Sequence, residues 1–326
     1  MPTKATTISD QKQKRLKSIF AKGLLLAPLA GFSDVAQRQI SSQSGADLCY
    51  TEMVSAKGLV YGNAKTAELL QSAPNQKLKA VQLFGSEPAV FERALIGCKE
   101  LRQFEVADIN MGCPVHKIVS CGEGSALMKD IKRAADIISV CARAAPDKMI
   151  TAKIRSGWDG SNINAVAMAK ALEESGAQAI TVHARTREQY YAGECDYELV
   201  SRVREAVSVP VIVSGGITDV ASYEAIRART GCGAVMIGRG ALGSNIFNDI
   251  KAHRDGAPKQ EWNAAERYLY HLKLLHEYFG EKYAVANIRK FTPYYFRRTE
   301  GARALRHAVN TAGSIAEIKA IITELA

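Results

Sequence analysis

The apolar residues of this chain gather into eight short, nearly continuous blocks, at 24–28, 47–52, 80–83, 106–110, 150–154, 179–183, 209–214 and 234–238. They do not alternate with polar residues, which is how strands buried on both faces of a parallel sheet read. Longer stretches with helix punctuation run between them. Ser33 and Gly45 bracket one helix, and Pro88 stands in the first turn of another, after Ser86 and Glu87. Asp130 and Asn162 sit at two further starts, while Gly176 and Gly231 follow two ends. Eight strand–helix alternations over residues 23–255 predict an α/β protein built as a closed (β/α)8 TIM barrel. A doubly wound open sheet is the alternative, and no G-x-G-x-x-G follows the first strand to support it.

The strand pattern stops near residue 256. Asn263 and Glu266 are spaced as a capping box, with Gly280 as the stop of the helix they begin. Thr292-Pro293 starts or kinks another helix. Ile315, Ile318, Ile322 and Leu325 mark one face of a terminal amphipathic helix. A small C-terminal α-helical domain over 256–326 is therefore expected, with residues 1–22 as a polar, basic tail.

Composition narrows the function classes. A chain of 326 residues suits one large domain and a small one. No apolar run is long enough to span a bilayer. The first twenty residues lack a secretory apolar region, and Asp10 counts against a transit-peptide reading of Lys14, Arg15 and Lys17. Seven cysteines without a C-x-x-C pair argue against a zinc ribbon, a thioredoxin-type motif or a disulfide framework, so no metal is expected. A reducing cytoplasmic setting fits best. Lys and Arg outnumber acids 43 to 33, a net charge of +10. That is common on soluble proteins, and it also suits a polyanionic partner.

A barrel carries its chemistry at the carboxyl ends of its strands. Polar residues fall there: Glu52 after the second strand, Gln82 on the third, Asn110 after the fourth, Lys153 on the fifth and His183 closing the sixth. Ser214-Gly215-Gly216 ends the seventh and Gly238-Arg239-Gly240 the eighth. One glycine turn would be only a turn; turns at both positions, with the Arg239 fork, favour a phosphate-bearing ligand. Lys153 lies in an otherwise apolar strand and needs either an internal ion pair or an electron-poor ring beside it. Cys49, Cys98 and Cys141 read as small core residues. Cys113 does not, because Gly112 and Pro114 place it in a loop on the catalytic face. The step from the fourth to the fifth strand is the longest in the barrel, and its 122–125 segment reads as part of a lid.

These residues resemble the bacterial tRNA-dihydrouridine synthases. The likeness is carried by Ala27-Pro28-Leu29-Ala30-Gly31, Thr51-Glu52-Met53-Val54-Ser55, Gln82-Leu83-Phe84-Gly85, and Asn110–Pro114 with Lys117. Residues 122–128, Lys153-Ile154-Arg155, the run His183 to Arg187 and Gly238-Arg239-Gly240 continue it. The resemblance implies FMN as prosthetic group, NADPH or NADH as reductant and a uridine of tRNA as substrate. It implies that Pro28, Leu29 and Ala30 line the flavin and that Gln82 and Lys153 meet its ring. Ser214, Gly215, Gly216, Gly238 and Arg239 would hold its phosphate end, with His183 nearby. Cys113 would be the catalytic acid. Glu52, Asn110, Lys117 and Arg155 are the candidates for substrate contact. The family often has Asn-Gly-Asp where Ser214-Gly215-Gly216 stands, which leaves backbone amides rather than side chains for the phosphate.

Reduction would place hydride on C6 of uracil and a proton from Cys113 on C5. A basic site lowers a thiol's pKa, so Cys113 is expected to be shielded from the surrounding charge. In the helical domain Arg289, Lys290, Arg297 and Arg298 are candidate tRNA contacts, with Arg303 and Arg306 nearby; the interleaved aromatics read as bundle core. A monomer is expected. The competing readings are an FMN barrel dehydrogenase acting on a free pyrimidine, a non-catalytic RNA-binding barrel, and a sugar-phosphate isomerase.

Overall fold

The computed structural model describes residues 9–297 and 299–324. Eight parallel strands close into a barrel: β1 Leu24–Leu26, β2 Leu48–Ser55, β3 Ala80–Phe84, β4 Val106–Met111, β5 Met149–Arg155, β6 Ile180–His183, β7 Val211–Ser214 and β8 Ala234–Ile237. Each pairs with the next, and β8 pairs with β1 through Leu25↔Met236. β1 is the shortest. Pro28 lacks an N–H and cannot extend the ladder.

Strands β2 to β5 run further than their apolar blocks, and the extensions of β2 and β4 bear on the polar residues. β2 continues to Ser55 because Met53, Val54 and Ser55 pair with Gln82, Leu83 and Phe84, after a register shift between Tyr50 and Met53. Glu52 therefore lies inside β2, at that irregularity. β4 reaches Met111, so Asn110 is a strand residue opposite Lys153 of β5.

Most helix signals hold, with two shifts. Asp130 caps Ile131–Ala144, Pro88 begins Pro88–Gly97, and Gly231 ends Val220–Thr230 in the left-handed region. Asp34, not Ser33, caps Val35–Gln43, because the Ser33 hydroxyl instead accepts the Leu29 N–H at 2.9 Å. Asn164, not Asn162, precedes Ala165–Glu174; Asn162 belongs to a turn around Asp159.

The segment expected as a basic tail is, from Asp10, a helix to Lys22. Leu16, Ile19 and Phe20 form a single buried stripe on it, at the spacing of one helix face. They pack with Leu25, Leu48, Met149, Ile212 and Met236 and close the amino-terminal end of the barrel. Neighbouring cations (Lys12, Lys14, Arg15 and Lys17) mask the stripe in the sequence.

The C-terminal helices Ala264–Phe279, Glu281–Ile288, Ala302–Thr311 and Ile315–Thr323 surround their own core, which includes Leu272, Phe291, Val309 and Ile318. Asn263 accepts the Glu266 N–H at the first of these helices. Thr292–Tyr295 is a separate short helix with Pro293 in its first turn. The bundle is seated on the barrel: Ala36 and Ile40 of the first barrel helix belong to its core. Phe32, on the loop after β1, meets Phe291 and Tyr294 edge-on at 5.4 and 5.7 Å. No helix among the described residues is long and apolar enough to cross a membrane.

Candidate active site

A cavity of about 570 Å³ opens at the carboxyl ends of the strands, within the size range of cofactor sites. It collects the loop after β1 (Pro28, Leu29, Ala30), then Gln82, Asn110, Cys113, Lys153 and His183. The turns Ser214-Gly215-Gly216 and Gly238-Arg239-Gly240 close the opposite side. Every residue expected to touch a flavin thus lines one cavity.

The two turns form a cradle that only glycine permits. Gly215 and Gly216 have φ of +107° and +81°. A Cβ on Gly216 would stand 2.1 Å from the Tyr197 hydroxyl oxygen, and one on Gly240 2.2 Å from the Ile217 carbonyl oxygen. Among the described residues, the N–H groups of Gly215, Gly216, Arg239 and Gly240 have no hydrogen-bond partner. Four free donors and the Arg239 guanidinium are what a phosphate requires. The missing Asn and Asp side chains of the family pattern are not needed for that.

Lys153 lines the mouth, and its ammonium makes no hydrogen bond or ion pair among the described residues. Burial, then the neighbouring Arg155, push it down to about 8, while Asp108 and Cys113 pull it back up. It stays mostly cationic near neutral pH. His183 is pushed well below its ordinary value by burial and by Lys153, Arg155, Arg185 and Arg239, so it is neutral. The cavity therefore has a positive field centred on a ring-sized space, which suits an electron-poor ring that becomes anionic on reduction.

Cys113 is half-buried at the edge of the same cavity. Burial raises its pKa, and the opposing pulls of Arg155 and Lys153 are smaller. The thiol keeps its proton because desolvation outweighs the charge beside it, not because the charge is shielded. Its segment is pinned on three sides: Asn110 Oδ1 accepts the Gly112 and Cys113 N–H groups, Arg155 Nε donates to the Gly112 carbonyl at 2.7 Å, and Ser125 N–H donates to the Cys113 carbonyl at 3.0 Å.

The residues expected to meet substrate fare unequally. Lys117 is exposed on a short turn after Cys113, free to reach outward. Glu52 instead accepts the Gly31 N–H and fixes the β1 loop. Arg155 is only 2 % exposed. Its guanidinium donates to the carbonyls of Thr186 and Tyr190 as well as Gly112, so it ties the β4 and β6 loops together. In the helical domain, Arg289 donates to the Ala312 carbonyl and Arg297 to those of Tyr294 and Leu242. Lys290 bonds Asn287 and lies over Phe32 and Phe291. These three staple helices in place, and Arg298 lies outside the described residues. Arg303 and Arg306 are exposed.

Two participants carry little signal in the sequence pattern. Asp108 is fully buried under the cavity, bonded to Gln82 and Thr151. Its place two residues before Asn110, on the same face of β4, is the clue that could have found it. Tyr191, on the loop after β6, lies 4.8 Å from the Arg239 and 5.5 Å from the Arg155 guanidinium carbon, roofing the phosphate side.

Comparison with known proteins follows the same outline. The family model described as dihydrouridine synthase matches residues 25–324. A tRNA-dihydrouridine synthase B of Pseudomonas aeruginosa is 36% identical over 294 residues, covering 88% of this chain and 87% of the relative. One from Vibrio parahaemolyticus is 33% identical, covering 88% and 90%. Among solved structures, a mutant of morphinone reductase in complex with tetrahydroNAD superposes with a TM-score of 0.53 at 11% identity, covering 74% of this chain and 88% of that one. That likeness extends to the fold alone.

Proposed function

Because the chain belongs to the dihydrouridine synthase family and is an oxidoreductase, we propose that it reduces the C5–C6 double bond of uridines in tRNA, with FMN as its prosthetic group and NADPH or NADH as reductant. The carrying observation is that one cavity joins a proton-bearing thiol, a buried cation and a glycine phosphate cradle. Residues 23–255 are the catalytic barrel, and 256–326 help receive the tRNA in the cytoplasm.

FMN fits the residues present. The free N–H groups at Gly215, Gly216, Arg239 and Gly240 would hold its phosphate, and Lys153 would meet its ring. When bound, FMN would supply the hydride for C6 of the uracil. The protein supplies the rest. Cys113 holds a proton on Sγ for C5, kept there by burial at neutral pH. Neutral His183 adds no charge to the crowded phosphate side. Lys153 offsets negative charge as it develops in the mouth. A target base must leave its stack to reach this depth, at a cost of a few kcal/mol. Backbone phosphate contacts offset that cost, and exposed Lys117, Arg303 and Arg306 are the side chains available to make them.

The test is incubation of purified, FMN-loaded protein and NADPH with unmodified tRNA or with free uridine, dihydrouridine being measured by mass spectrometry. Product in tRNA alone is expected. Equal turnover of free uridine, or a protein that purifies colourless and takes up no flavin, would overturn the reading.

A further inference from the structure

Below the cavity, four side chains from three neighbouring strands form a continuous hydrogen-bonded line. Gln82 of β3 is in register with Asp108 of β4, and Asp108 with Thr151 of β5. Thr151 Oγ1 donates to Asp108 Oδ1 at 2.7 Å, and Gln82 Nε2 donates to Asp108 Oδ2 at 2.7 Å. Asn110 Nδ2 donates to Gln82 Oε1 at 2.7 Å. Asn110 Oδ1 then accepts two backbone N–H groups, Gly112 at 3.2 Å and Cys113 at 2.9 Å. Asp108 is 0 %, Gln82 1 % and Asn110 7 % exposed, so water cannot substitute for a lost partner.

The line has a direction. A side-chain amide donates from one end and accepts at the other, so each amide passes on the orientation it is given. A carboxylate only accepts. With Asp108 at the base, Gln82 must turn its NH2 downward and its oxygen toward Asn110. Asn110 must then turn its NH2 to Gln82 and its oxygen to the Cys113 segment. Reversal of Asn110 would set an NH2 against two backbone N–H groups, donor against donor, and reversal of Gln82 would set its oxygen against the Asp108 carboxylate. We propose that Asp108 is a positioning residue that sets the direction of the Gln82–Asn110 relay and thereby holds the Cys113 segment at the barrel mouth.

Asp108 is raised to about 6 by burial, against the hydrogen bonds of Gln82 and Thr151 and the charge of Lys153, so it remains a carboxylate near neutral pH. That condition keeps the relay one-way. Its importance for turnover rests on the reading of Cys113 as proton donor; the geometry of the relay does not.

The direction can be tested by reversing it. Four variants of the flavin-loaded protein are compared: Asp108→Leu, Asp108→Asn, Asn110→Asp and the double Asp108→Asn/Asn110→Asp. Two readouts follow the segment directly: deuterium uptake at the Gly112 and Cys113 amides, and iodoacetamide labelling of Cys113 relative to exposed Cys121 in the same sample. Asp108→Leu removes the fixed acceptor, and uptake should rise about five-fold or more, the worth of one hydrogen bond. Asp108→Asn should stay close to the parent, since the new amide can offer its oxygen to Gln82 and its NH2 to the rotatable Thr151 hydroxyl. Asn110→Asp forces the Gln82 oxygen against Asp108 and should loosen the segment. In the double variant every amide runs the other way and each acceptor again meets a donor, so protection should return. Asp108→Leu can fail to fold; the comparison of Asn110→Asp with the double variant then decides, since neither places an apolar group in the line. A double variant no more protected than Asn110→Asp, or an unchanged segment in Asp108→Leu, would overturn the proposal. Should Cys113 prove not to be the proton donor, the exchange pattern would stand while turnover would not follow it, so the two failures are distinct.

Discussion

The two ends of the barrel are made by the same eight strands and have opposite interiors. At the amino-terminal end, Leu25, Leu48, Met149, Ile212 and Met236 pack against Leu16, Ile19 and Phe20 of a plugging helix. At the carboxyl end, the interior positions are Gln82, Asp108, Asn110, Thr151, Lys153 and His183, the first four joined by hydrogen bonds. The first end is stabilised by removal of apolar area from water and tolerates no chemistry. The second retains buried charge at a cost to the fold, which is justified only by a ligand that uses it. Substitutions should therefore divide cleanly, with turnover changing at one end and stability at the other.

The largest effect is expected at Cys113. Cys113→Ala should lower dihydrouridine formation on the order of a thousandfold, the scale of losing a positioned acid. Its melting temperature and flavin absorbance should be unchanged. A normal rate would remove Cys113 from the chemistry. Next comes the opposite end: Leu16→Ala opens a cavity in a fully buried stripe and should cost about 3 kcal/mol of stability. Its kcat, measured well below the melting transition, should match the parent. A kcat defect there would mean that the two ends are not independent.

The fold was almost wholly legible in the sequence, because eight apolar blocks and their caps are local features. Asn263, Asp130 and Pro88 announce helix starts through chemistry within three residues. Cys113 was legible for the same reason, since Gly112 and Pro114 exclude it from a strand. What escaped is non-local. Asp108 looks like any polar residue in a strand until β3 and β5 place Gln82 and Thr151 against it. Arg155 and Arg289 carry long side chains whose charged ends fold back onto carbonyls 31 to 43 and 23 residues away in sequence. The plugging helix was hidden by its own cations, although its three buried residues obey the helical spacing.

A smaller, pH-dependent effect sharpens the account of the carboxyl end. Lys153 is pushed down to about 8, chiefly by burial, so it carries its charge below that pH and loses it above. kcat/KM should fall as pH rises through about 8, by up to tenfold per unit. Burial raises the Cys113 thiol from its ordinary value, which favours its protonated form. The stability linkage has the opposite sign. The cost of burying charged Lys153 is present in full below about 8 and relieved as pH rises toward 10.5. Lys153→Arg keeps the charge at all these pH values and should abolish the alkaline limb; a limb that persists there belongs to another group.

The smallest effect concerns the helical domain, where the distinction between held and free cations replaces that between the barrel's two ends. Arg289 spends its guanidinium on the Ala312 carbonyl, whereas Arg303 projects from the surface of Ala302–Thr311. A cation that meets a tRNA phosphate releases counterions, so its removal lowers the slope of log affinity against log salt by about 1. Arg303→Ala should do this without shifting the melting temperature. Arg289→Ala should lower stability by about 1 kcal/mol, because it orphans a carbonyl between two helices, and should leave the salt slope where it was. The pair is informative in both directions. A salt-slope change at Arg289 would show that its hydrogen bond to Ala312 is given up when RNA arrives. An unchanged slope at Arg303 would move the RNA-contacting face away from this helix, toward Lys117 and the segment beside Cys113.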